Sequence, residues 1–362
     1  MTRATRNDRS RRSQVGNPAC PSCGVWLALL GTFAAACVSD SGQSAASAQA
    51  GDTAATVGAL AMQDRVFVSN EGDNSLSVID GSTDAVLETI PVGRRPRGMA
   101  ASRDGRTVYV ALGIDNAVGV VDVRTGRQTG EIPAGGDPEQ VAVSLDGTTL
   151  YVSNEDPGKA TAVDVASRRE LFSVDVGREP EGVQVTPDGQ KVYVTNESSS
   201  TVTVLDARTG RRRAEFHVGA RPRFVAFTQR GAYALVTSEV GGSVTLVDLP
   251  KDVPLKTVAV GDSTKPTGVV ISPDGRTAYF ANGRANRVSV FSLSALVVTD
   301  TIPVGQRPWG VALSSDGSTL YTADGRSRQV SVIDVRHNKV LRTIGVGERP
   351  YGVVVVRRPR GD

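Results

Sequence analysis

The feature that most constrains this chain is an internal repeat. A glycine stands shortly before a proline at Gly93, Gly135, Gly177, Gly219, Gly261, Gly305 and Gly347, at spacings of 42, 42, 42, 42, 44 and 42 residues. The prolines are Pro96, Pro138, Pro180, Pro222, Pro266, Pro308 and Pro350. A second marker recurs as Asp80, Asp122, Asp164, Asp206, Asp248 and Asp334, with Ser292 out of pattern. A third is an Asp-Gly turn, as at Asp104-Gly105 and Asp188-Gly189, replaced in one copy by Arg230-Gly231. A period of this length marks an architecture in which each unit buries its apolar face only against its neighbours.

Each unit holds four short runs rich in β-branched residues and separated by turn signals, for example 182–185, 192–195, 202–205 and 214–218. Such runs read as strands. Four antiparallel strands per repeat, with no helical pattern between them, predict an all-β, seven-bladed propeller over residues 61–357. The four strands of a blade are named A to D from the channel outward. The ordered part begins with a B-type run at 65–68 and ends with an A-type run at 352–356. The last strand is therefore expected to complete the first blade, closing the ring and removing two raw sheet edges. Residues 358–362 are left as a tail.

The repeat also carries the tetrapeptide Tyr193-Val194-Thr195-Asn196, with near copies at Tyr151-Val152-Ser153-Asn154 and Phe67-Val68-Ser69-Asn70. On these residues, and on the stretch from Pro180-Glu181-Gly182 to Asp188-Gly189, the sequence resembles the YVTN family of β-propeller repeats. The resemblance covers all seven repeats. It implies the propeller fold, but the family spans surface-layer proteins, lipoproteins and proteins linked to redox enzymes, so it implies no single activity.

Residues 1–37 read as an export signal. Five arginines precede the apolar run 25–36, which is too short to span a bilayer. Two cleavage sites compete. Ala34-Ala35-Ala36 before Cys37 resembles a lipoprotein signal, and Ala48-Gln49-Ala50 fits ordinary signal peptidase. The cysteines favour the first: the chain has only Cys20, Cys23 and Cys37, none in the propeller. Cys37 is thus the expected lipidation site, residues 38–60 a flexible tether, and the location periplasmic or cell-surface, with the lipid anchor the only membrane attachment. Because the leader holds five of the 41 basic residues and one of the 38 acidic ones, the remainder is close to neutral. The basic pI is then no sign of nucleic-acid binding.

Catalytic residues are sparse. The only histidines, His217 and His337, fall in an outer strand and a turn, so no metal pair and no axial ligand for a d1-type haem is visible; no cofactor is expected. What varies between repeats is one rim, where D–A and B–C loops meet. Directly after the prolines come Arg97, Glu139, Glu181, Arg223, Thr267, Trp309 and Tyr351. Directly before them come Arg95, Asp137, Glu179, Arg221, Lys265, Arg307 and Arg349, and Glu71, Glu155, Glu197 and Glu239 share one B–C loop position. Aromatic and arginine side chains are the types enriched at binding hot spots. The post-proline ring is therefore the expected ligand-binding site, for an unidentified protein or small ligand. The expected function is a non-catalytic binding or interaction module. The alternatives are a lactonase-like periplasmic hydrolase, an accessory to a periplasmic oxidoreductase, and a structural cell-surface repeat protein. A converging cluster of channel-mouth acids with a divalent metal would favour the enzyme, and Glu139 and Glu181, on adjacent blades, are the only visible pair.

Overall fold

Every repeat folds into one four-stranded antiparallel sheet, seven in all. The computed structural model describes residues 62–261 and 263–359. The expected export signal, tether and Cys37 lie outside them, as does Asp262. Among the described residues no helix is long and apolar enough to cross a membrane.

Blade one joins the two ends of the chain. Its A strand is Pro350–Pro359, followed outward by Met62–Asn70, Ser75–Asp80 and Val86–Pro91. Val68 pairs with Val353 and Met62 with Pro359, so the closing strand runs two residues beyond the 357 boundary expected from the pattern. Arg357 and Arg358 take part in this pairing, opposite Asp64 and Gln63. Blades two to seven follow in chain order, each opening its A strand at one of the repeat prolines.

The core lies between blades. Phe67, Leu76 and Ile90 of blade one pack on Met99, Val108 and Val110 of blade two. Tyr321, Ala323 and Val332 of blade seven pack on Val66, Val68 and Ile79 of blade one. Similar clusters fill the other interfaces. Alternate strand residues face opposite neighbours, which is why the strands read as near-continuous apolar runs.

One device is repeated at the channel mouth. The residue before each proline adopts a left-handed φ between 43° and 58°. That conformation costs a non-glycine residue about 1 kcal/mol or more. The carbonyl of each accepts the first amide of a B–C loop: Gly113 to Arg95 at 3.1 Å, Glu155 to Asp137 at 3.0 Å, Glu71 to Arg349 at 3.1 Å. These bonds stitch D–A and B–C loops into a single rim. Because all seven blades share the geometry, it belongs to the scaffold.

Candidate functional site

Each repeat proline hands the chain into an A strand, and the next side chain is delivered to the channel axis. Arg97 Nη2 lies 2.8 Å from Glu139 Oε2 and 3.5 Å from Glu181 Oε1. Arg223 reaches Glu181, Glu197 and Glu239 at 2.8, 2.7 and 2.8 Å. The Tyr351 hydroxyl donates to Glu181 Oε1 at 2.8 Å. The Trp309 and Tyr351 rings are 5.4 Å apart, with Arg97 4.2 Å over Tyr351 and Arg307 4.3 Å over Trp309. Thr267 differs: its hydroxyl donates to the Trp309 carbonyl at 3.1 Å and serves the scaffold.

Six of the seven post-proline residues therefore converge, but not as an open rim. Glu139, Glu181, Arg223 and Tyr351 are buried, and Trp309 is half-buried. Glu181 is the carboxylate that Arg97 and Arg223 neutralise, and together these side chains close one end of the channel. Behind them the channel is a cavity of about 410 Å³ walled by Met99, Val183, Val269 and Val311. B–C loop residues complete the plug. Where that loop opens with glutamate it supplies a countercharge. Where it opens with Gly113 or Gly325, a large side chain lies across it, since a Cβ at either would stand 2.9 Å from Arg95 Nη1 or Trp309 Cδ1.

The tetrapeptide explains how the mouth is held. Ser69 donates to the Arg97 carbonyl at 2.7 Å, Ser153 to Glu181 at 2.5 Å, Thr195 to Arg223 at 2.8 Å and Thr237 to Thr267 at 2.5 Å. Each hydroxyl lies in the B strand of one blade and each carbonyl in the A strand of the next. Asn196 ties its own blade, donating to Thr201 and Thr203 at 3.0 and 2.9 Å. These hydroxyls are visible in the sequence only as a repeat consensus, and their partners lie 28 to 30 residues away.

A carboxyl cluster sits on one side of the mouth. Asp137, Glu139 and Glu155 each bring a carboxylate oxygen within 4.8 Å of the others. Arg95 lies among them, 2.7 Å from Glu139, 3.8 Å from Glu155 and paired with Asp137. Its guanidinium takes the place a metal ion would need. Burial, the Glu181 charge and a hydrogen bond with Glu155 push Glu139 up to about 10, so it carries a proton at neutral pH. Burial also raises Asp137. Burial works against the charge on Glu181 too, but Arg223, Arg97 and the Tyr351 hydroxyl outweigh it and hold Glu181 below the usual carboxylate range. Two buried glutamates on adjacent blades are thus set apart, one protonated and one charged. Of the cluster, Glu139 was an expected site residue; Asp137 and Glu155 were legible only as loop positions.

Two protein-family models match parts of the chain. One, "Lactonase, 7-bladed beta-propeller", matches residues 207–345. The other, "Cytochrome D1 heme domain", matches residues 61–174. No curated protein matches the sequence significantly. Among solved structures, hydrazine synthase of Kuenenia stuttgartiensis is similar over 74% of this chain and 92% of its own, at 24% identity and a TM-score of 0.67. A putative 6-phosphogluconolactonase from Bacteroides fragilis is similar over 81% and 98%, at 17% identity and a TM-score of 0.71. The dihydro-heme d1 dehydrogenase NirN is similar over 78% and 63%, at 18% identity and a TM-score of 0.61. At these identities the structural likeness shows the fold.

The family matches correct the expectation of a non-catalytic binding module. One model is named for an enzyme and the other for a haem domain, which favours the enzyme-like and oxidoreductase-accessory alternatives. Most of the post-proline ring is buried in ion pairs and is not an exposed hot-spot surface. A histidine-ligated haem does not fit the residues present. The haem-domain match contains no histidine or cysteine. His217 and His337 are exposed on an outer strand and a turn, and His337 is engaged by Asp334 at 2.6 Å.

Proposed function

We propose that this chain is a lactonase-like hydrolase working at the channel mouth. The reading rests on one observation: a buried Glu139, its pKa raised by burial, beside Asp137 and Glu155, with Arg95 among them. Perturbed carboxyls beside fixed cations are a common arrangement for acid–base chemistry. Asp137 would take a proton from the attacking water. Arg95 would stabilise the oxyanion formed on the ester carbonyl. The proton on Glu139 would go to the leaving ring oxygen, and Asp137 would return its proton to Glu139. The lactonase match and the convergence of acids support this reading. The haem-domain match supports a second, in which the propeller serves an oxidoreductase partner.

The test is acid release from a panel of small lactones by the purified propeller. Wild type should open at least one, and Glu139→Gln should lower the rate by about 10²-fold or more, as for loss of a general acid. Absence of hydrolysis across the panel would overturn the hydrolase in favour of the second reading.

We also propose membership of the YVTN repeat family, export by residues 1–37 and acylation of Cys37. The support is the tetrapeptide series, the apolar run and the lone cysteine that follows it. Cys37→Ala should move the protein from the membrane to the soluble fraction; a wild-type protein already soluble and starting at Gly51 would refute the anchor.

A further inference from the structure

The charge on the mouth rim is not evenly spread. On blades six and seven the B–C loops carry Arg284, Arg326 and Arg328, Arg287 opens the blade-six C strand, and the D–A loops beside them carry Lys265 and Arg307. Backbone hydrogen bonds join these loops in order: Gly283 to Lys265 at 3.0 Å, Gly325 to Arg307 at 3.0 Å and Val346 to Arg328 at 3.0 Å. The amide of Arg307 is also bound to Asn286 Oδ1 at 3.0 Å. The cations therefore form a continuous arc on a rigid rim. Arg307 and Arg328 are paired, with Glu239 and Glu348. Among the described residues, no carboxylate pairs with Lys265, Arg284, Arg287 or Arg326, and the three arginines are exposed. The carboxyl cluster lies away from this arc, on blades two and three.

We propose that this arc docks an acidic segment of a partner protein. The unpaired cations come from successive loops and one adjoining strand end and follow the rim, which suits an extended chain of carboxylates better than a single phosphate, whose binding needs donors converging on one point. Three of the four are arginines, whose planar fork matches carboxylates. Trp309, half-buried under Arg307, supplies an aromatic surface in the same sector. No cluster of exposed large apolar side chains accompanies the arc among the described residues, so nothing on the rim itself would insert into a lipid surface. The inference does not depend on the hydrolase reading, because none of the unpaired residues belongs to the carboxyl cluster.

The test compares three probes on the purified full chain at low salt: a polyglutamate peptide of about ten residues, vesicles containing anionic phospholipid, and inorganic phosphate. The peptide should bind wild type and lose about tenfold or more in affinity in the Arg284→Glu/Arg326→Glu variant. An equal charge change on the opposite rim, Arg208→Glu/Arg211→Glu, should leave binding within about twofold. Raising salt from about 0.05 to about 0.3 M should weaken binding, since exposed pairs are screened over roughly a Debye length. Because all four substituted side chains are exposed, far-ultraviolet circular dichroism should show both variants folded. Equal losses in the two variants, no peptide binding at low salt, or binding of vesicles or phosphate in place of the peptide would overturn the proposal.

Discussion

Glu139 is the residue whose environment departs furthest from what its sequence position suggests. In the sequence it is one of two glutamates that follow a repeat proline; in the fold it is buried beside Glu181, Glu155 and two arginines. Its pKa is raised from 4.5 to about 10. A carboxyl so raised contributes stability that is fully present below its unfolded pKa and is lost as pH rises towards the folded one. Thermal midpoints of wild type should therefore fall between about pH 5 and about pH 9. Glu139→Gln, which cannot ionise, should show a shallower fall across that range. Identical slopes for the two proteins, measured by scanning calorimetry, would mean that Glu139 is charged in the folded state.

At the scale of the strand, the tetrapeptide hydroxyl is a blade-to-blade contact. Thr195 in the B strand of blade four fixes the carbonyl of Arg223 in the A strand of blade five. That contact sets where the Arg223 guanidinium meets Glu181, Glu197 and Glu239. A-strand glycines make room for the same carbonyl: a Cβ on Gly182 would stand 2.4 Å from the Arg223 oxygen. Thr195→Val keeps the shape and removes the donor, leaving a buried acceptor unpaired. Such a loss costs about 1–3 kcal/mol. Chemical denaturation should show a lower midpoint with an unchanged slope; a variant as stable as wild type would show that the carbonyl finds another donor.

At the scale of the molecule, stability depends on closure. The A strand of blade one comes from the far end of the chain and pairs with Met62–Asn70 along nearly its whole length. It also packs on both neighbours, with Val353 and Val355 against blade seven and Val354 and Val356 against blade two. Ending the chain at residue 349 would leave Met62–Asn70 as an unpaired sheet edge and open two blade interfaces at once. The loss should exceed the roughly 5 kcal/mol that severe single substitutions reach, and unfolding should lose its single sharp transition as neighbouring blades uncouple. A truncated chain that melts like wild type would refute closure as the source of cooperativity.

Repetition makes the architecture legible in the order of residues alone. A fixed period, Asp-Gly turns and β-branched runs admit one solution once the end strands are seen to be halves of the same blade, because each of these signals is local or recurs at a known interval. The same arithmetic placed the post-proline residues around one mouth. What it could not supply was their surroundings. Whether Glu139 is solvated or buried depends on Arg95, Arg97 and Glu155, contributed by other loops and the neighbouring blade, and on Glu181 one blade further on. Thr267 reads like its ring neighbours in sequence, yet its hydroxyl turns to a backbone carbonyl. Desolvation and charge pairing are sums over neighbours in space. Strand pattern could therefore be read from the order of residues, whereas the protonation and exposure of the mouth were decided only when seven blades closed around it.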